Sequence, residues 1–162
     1  MAENVYLFLK LNGQDIQGES SQSSLGRENS IECLSFAQRV ATASDPSTGR
    51  MAGRRQYDPI VIVKRIDKSS PLLVKGLAQN QVATAVFRFF RPNQTGDGTM
   101  EQFYTIEIKE ARIASVKGYV IDTLSADGAA RPPLEEVSFV FNRISWSFEN
   151  GGVTFEDSLS GR

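Results

Sequence analysis

Apolar positions in this chain recur mostly with a period of two, the period of strands. Val5 to Leu11 reads as a first strand, ended by Asn12-Gly13. Ser30 to Thr42 reads as a second, with Ile31, Leu34, Phe36 and Val40 apolar and with Leu34 and Phe36 on one face. Ile60-Val61-Ile62-Val63 is β-branched on both faces of the pleat, as a fully buried strand requires. Val82 to Arg91 lines one face with Ala83, Ala85, Phe87 and Phe89, and Asn93 to Gly98 supplies hairpin turn residues. Two later strands change phase. In Met100 to Lys117, Tyr104, Ile106 and Ile108 share one phase and Ile113 takes the other; in Val137 to Glu149 the change falls at Asn142-Arg143. Such a slip predicts a bulge or sharp bend. Asn150-Gly151 predicts a hairpin that returns Val153-Thr154-Phe155.

One stretch departs from the strand period. Ser70 is placed to cap a helix through its hydroxyl, and Pro71 sits at the first helical position, where its missing N–H loses nothing. Leu73 and Leu77 share a helical face with Leu72 and Val74 at its edges, and Asn80 suits a left-handed stop. Gly76 in mid-helix costs about 1 kcal/mol against Ala, so a close neighbour is expected there. No other helix is convincing. Three stretches lack a period: polar, serine-rich Gln14 to Asn29, then Ala43 to Pro59, then Gly118 to Glu136, where Tyr119, Val120, Ile121 and Leu124 form a short strand or pack down. The pattern predicts one domain over residues 1–162: mainly β, an antiparallel barrel of two sheets with one flanking α-helix.

Composition narrows the function. The net charge of −1 gives no general attraction to nucleic acid. No apolar run approaches the roughly 18 residues of a membrane span, and Val5 to Leu9 is too short and wrongly flanked for a signal peptide, so synthesis in the cytosol without a cleaved leader is expected. The single Cys33 cannot form an internal disulfide and reads as an inert strand thiol. There is no histidine, which removes the usual general base, the commonest metal ligand and the Ser–His and Cys–His nucleophile pairs. Neither a cofactor nor a metal is implied.

Motifs with apparent chemistry weaken on inspection. Gly13 to Ser20 has the glycine spacing of a phosphate loop, but Glu19 stands where lysine belongs and no helix follows. The acidic pairs Glu135–Glu136, Glu107–Glu110 and Glu28–Glu32 read as solvated strand charge rather than an acid and a base. Arg50, Arg54 and Arg55 lack interleaved aromatics, which argues against a nucleic-acid platform; with the adjoining Tyr57 they suit a protein partner better. A structureless connection longer than about 12–15 residues is uncommon in a compact domain and often binds something.

The ordered motifs resemble the haemolysin-coregulated proteins (Hcp) of the bacterial type VI secretion system. Ile16-Gln17-Gly18-Glu19-Ser20 resembles the family's "I-x-G-E-S", and Ser30 to Phe36 its "I-E-V-L-S-F/W", with Cys33 in place of the usual valine. Lys64 to Leu73 resembles "K-x-I-D-K-S-S-P-x-L", the most specific piece. Phe103 to Ile108 with Ala114 to Val116, and Leu134 to Phe139 with Ile144 to Phe148, resemble the family's later strands. Gly18, Glu19, Ser20, Lys64, Asp67, Ser70 and Pro71 are therefore expected to have structural roles.

The resemblance implies a non-enzymatic tube subunit. It implies a homohexameric ring, rings stacked into a tube, and partners in the spike protein, the sheath, and effectors or their adaptors. Export would run through the machine itself, and neither nucleic-acid binding nor membrane insertion is implied. The loop after the second strand is expected to reach the adjacent ring through Asp45, Pro46, Thr48, Gly49, Arg50, Arg54, Arg55, Tyr57 and Asp58. The competing expectations are a monomeric ligand- or partner-binding barrel, a contractile phage tail-tube subunit, and a hydrolase using Glu135 or Glu136.

Overall fold

The computed structural model describes residues 3–159. Its strands are β1 (Asn4–Leu11), β2 (Gln14–Ile16), β3 (Ile31–Ala37), β4 (Val40–Ser44), β5 (Met51–Tyr57), β6 (Ile60–Arg65), β7 (Ala83–Pro92), β8 (Met100–Tyr119), β9 (Leu134–Val140), β10 (Arg143–Phe148) and β11 (Val153–Ser158). Two helices, α1 (Ser70–Ala78) and α2 (Ala126–Ala129), complete it. The strands run in the order β11-β10-β8-β7-β1-β3-β6-β9, and β9 pairs back onto β8. Six strands, β8, β7, β1, β3, β6 and β9, therefore close a barrel in which every pairing is antiparallel. Closure removes the free edges that an open sheet would present.

The predicted phase slips are the joints of this barrel. Glu110 has φ 49, and the β7–β8 register shifts beside it, between Ala83 and Ala85. Before that bulge β8 pairs with β10; after it, from Arg112, β8 pairs with β9. The second expected bend separates β9 from β10 at Phe141-Asn142. The core inside holds Leu7, Leu9, Ile31, Ile60, Ile62, Phe87, Ile108, Val137 and Phe139, each 0–2% exposed. Side chains fill the interior, as in other small barrels. Phe36 packs edge-on against Phe87, with ring centroids 5.0 Å apart.

Several expectations are corrected. The segment 30–42 is two strands: a bulge between Cys33 and Ser35 turns Leu34 outward, and β4 leaves the barrel to pair with β5. The segment 43–59 is consequently not structureless. Its strand β5 pairs with β4 as a ribbon, which the polar sequence disguises because the ribbon buries little. Asn12 and Gly13, both at positive φ, fold β2 back on β1. Their two-residue turn matches the right-handed strand twist. Between Tyr119 and Leu134, Val120 and Leu124 stay 60% and 95% exposed rather than packing down, and α2 is a helical turn capped by Ser125.

Helix α1 keeps its predicted span but not its predicted start. Ser69 is its N-cap, no side chain caps it, and the Ser70 hydroxyl is engaged elsewhere. Asn80 stops it at φ 49, as expected. Its buried residues are Leu73 and Gly76, whereas Leu72, Val74 and Leu77 are 38–51% exposed. Gly76 is the contact point: a Cβ there would lie 2.7 Å from the Leu11 Cδ1 methyl.

Candidate assembly site

Strand alternation puts Lys64 on the same inward face as Ile60 and Ile62, so its ammonium is buried and must be paired. Its Nζ donates to Glu135 Oε1 at 2.5 Å, Asp67 Oδ1 at 3.0 Å, the Arg65 carbonyl at 2.8 Å and Ser70 Oγ at 3.3 Å. Ser70 Oγ in turn donates to Glu135 Oε1 at 2.7 Å and accepts from the Asp67 amide. Burial pushes the Asp67 carboxyl up, but hydrogen bonds from Ser69 and Lys64 outweigh it and hold the group below its usual range. Glu135 is 3% exposed, so its expected solvated role is corrected: it is the counter-charge of a core lysine.

This network gathers motif pieces that lie far apart in sequence. The Glu19 amide donates to Asp67 Oδ2 at 3.3 Å. Gly18 beside it lies flat on β3; a Cβ there would sit 2.7 Å from the Ser30 carbonyl oxygen. Pro71 opens the helix that Ser70 pins to Lys64. Ser20 joins only locally, its hydroxyl donating to the Gln22 carbonyl. The network fastens β6, β9, α1 and the Gly18 segment together.

The second feature is the β4–β5 ribbon, a two-stranded sheet separate from the barrel. At its tip, Asp45 accepts from the Ser47 amide and hydroxyl and from the Thr48 hydroxyl, which holds its carboxyl below the usual range. The Gly49 amide closes the turn onto the Asp45 carbonyl at 2.8 Å, and the Asp45 amide reaches the Arg50 carbonyl at 2.7 Å. Pro46, Thr48, Gly49, Arg50 and Arg54 are exposed. At its root, Asp58 pairs with Arg39 at 3.1 Å.

Arg55 and Tyr57 face the other way. Arg55 donates from Nε and Nη2 to the two Asp157 oxygens at 2.5 and 2.7 Å, and the Tyr57 hydroxyl donates to Asp157 Oδ2 at 2.5 Å. The Arg55 hydrogen bond, then that of Tyr57, holds Asp157 down to about 2. The Tyr57 ring stacks on Trp146 at 6.2 Å and meets Phe141 edge-on at 5.6 Å. Thus the nine arm residues do not form one surface. Arg50 and Arg54 are exposed and make no ion pair among the described residues, while Arg55 and Tyr57 hold the arm to the β10–β11 hairpin of its own chain. Asp157, two residues beyond the predicted return strand Val153-Thr154-Phe155, lies in β11; only a charge complement to the arginines hinted at its role.

Other candidates are structural. Burial pushes the Cys33 thiol up to about 12, leaving it protonated and unreactive. Glu107 pairs with Lys109 at 3.2 Å and Glu32 with Arg65 at 3.7 Å. Among the described residues no cluster of His, Cys, Asp or Glu could hold a metal ion, and no helix is long and apolar enough to cross a membrane.

A filled antiparallel barrel, an internal charge lock and a projecting ribbon define a structural, assembly-type protein. The comparisons with known proteins give the family. Residues 8–148 match the family model described as type VI secretion system effector, Hcp. The chain is 31% identical over 145 residues to the "Major exported protein" of Pseudomonas aeruginosa, covering 89% of this chain and 82% of that one. It superposes on the Hcp1 protein from the E. coli EAEC 042 pathovar with a TM-score of 0.83 at 26% identity, covering 98% and 99% of the two chains. The fold also matches secreted Hcp3 from Pseudomonas aeruginosa, with a TM-score of 0.74 at 23% identity over 97% and 98%. The chain belongs to the Hcp family of the type VI secretion system.

Proposed function

We propose that this chain, a structural tube protein of the type VI system, closes six to a ring and stacks ring on ring into a hollow tube. The observation that carries the reading is the family match over residues 8–148. The geometry supports it. Barrel closure leaves β11 at the open end of the large sheet, with Val153 and Phe155 70% and 62% exposed, a surface suited to a neighbouring copy. A ring follows when such a heterologous contact closes on rotation. In this reading the tip from Asp45 to Arg50, with the exposed Arg54, meets the next ring; the exposure of Pro46, Thr48, Gly49, Arg50 and Arg54 supports it.

The subunit turns over no substrate. Of Glu135 and Glu136, the two carboxylates offered as hydrolase residues, the buried Glu135 is committed to Lys64. A monomeric ligand barrel is disfavoured because side chains occupy the interior. Spike, sheath and effectors or adaptors are its further partners, and it is made in the cytosol and exported through the assembled machine. Sedimentation velocity with negative-stain imaging tests the reading. Rings of six that elongate with concentration are expected. A strict monomer at high concentration would overturn it.

A further inference from the structure

A two-stranded ribbon is marginally stable and poorly oriented on its own. The β4–β5 arm nevertheless leaves the barrel in a defined direction, and its root shows why. On one side, Gln38, just ahead of β4, accepts from the Trp146 indole N–H at 3.3 Å. On the other, Arg55 and Tyr57 of β5 converge on the Asp157 carboxylate. Arg55 Nη2 also reaches the Ser158 carbonyl at 3.4 Å. Trp146 and Asp157 belong to β10 and β11, a hairpin whose rings stack face to face, Trp146 on Phe155 at 5.7 Å. The arm is thus braced by the last hairpin of the chain, about 100 residues away in sequence.

We propose that Asp157 is the positioning residue that aims the arm for ring-to-ring contact. This inference rests on the tube reading. Its carboxylate is suited to the task because two oxygens in a plane meet a guanidinium fork in one orientation only. A third donor, the Tyr57 hydroxyl, fixes the roll of β5 about that axis. The side chain of Asp157 is only 12% exposed, which limits competition from water. Loss of the carboxylate frees the arm without disturbing the barrel, whose strand pairings do not involve β4 or β5.

Two measurements on the full chain test this: tryptic cleavage at Arg50, Arg54 and Arg55, and the yield of rings and tubes. In Asp157→Asn, cleavage within the arm should rise roughly ten- to a hundredfold, the range for losing a charged hydrogen-bond pair. Rings should persist while tubes are lost. Tyr57→Phe should give a smaller change in the same direction, and it covers the event that Asp157→Asn misfolds. Exchanging the charges, Arg55→Asp with Asp157→Arg, should bring cleavage at Arg50, the arm site that the exchange leaves untouched, back toward the wild-type rate. Unchanged cleavage in both Asp157→Asn and Tyr57→Phe overturns the brace; faster cleavage with full tube yield overturns its role in stacking. Absence of rings in the wild type would instead sink the tube reading, while the cleavage rates still decide whether Asp157 holds the arm.

Discussion

Two ion pairs tie this molecule together, and they do different work. Lys64 and Glu135 have side chains 1% and 4% exposed and lie inside the barrel wall. Arg55 and Asp157 are 38% and 12% exposed and lie where the arm meets the body. Deleting Glu135 leaves an ammonium in the core with fewer partners and no access to water. Deleting Asp157 releases a guanidinium that water can solvate. The same chemistry therefore sets stability in one place and orientation in the other, and the environment decides which.

The largest expected effect falls on the buried pair. Glu135→Ala should cost about 3–5 kcal/mol of unfolding free energy, read by urea denaturation. Lys64→Met combined with Glu135→Leu should recover most of that loss, because an apolar pair removes both charges together. A loss under about 1 kcal/mol in the single variant would erase the contrast between the two pairs. Next comes Gly18→Ala. Its Cβ would press on the Ser30 carbonyl, so a loss of about 1–3 kcal/mol is expected in the same assay.

A smaller effect separates the pairs by pH. Asp157 is held at about 2 against an ordinary 3.8, so its contribution is complete above the ordinary value and is lost as pH falls through about 2. The Tyr57 ring resonances should therefore shift between pH 4 and 2, as the ring loses its fixed place on Trp146. A midpoint near 3.8 would mean that the brace does not hold in solution. The smallest effect belongs to the free tip: Arg50→Ala with Arg54→Ala should leave protomer stability within about 0.5 kcal/mol. Tube length should nevertheless fall with rings intact, and unchanged tubes would remove the tip from the stacking contact.

How legible each region was follows from the range of its interactions. The Lys64–Asp67–Ser70 cluster is local, spanning seven residues, and it stands in one recognisable motif. Its partner Glu135 is 71 positions from Lys64, and the sequence placed it on a solvated face. The β8 bend was legible because burial enforces a period of two, so a bulge writes itself into the apolar phase. The β4–β5 ribbon was not, because exposed strands carry no apolar period. The two extra residues that β5 carries opposite Thr42 and Ser44, with Gly53 at φ 101, have no hydrophobic signature.

By itself the sequence determined the barrel class, the helix and its left-handed stop, the bent strands and the family. Each of these depends on neighbouring residues or on a repeated inward face, and both survive in one dimension. Only the tertiary structure decided that Ser70 serves Lys64 rather than the helix end, that Glu135 is a core counter-ion, and that the arm's arginines divide between a free tip and a brace on Asp157. A polar side chain gives no sign of its partner in the linear order. Hydrogen-bond geometry selects that partner only after the backbone has brought distant strands within about 3 Å.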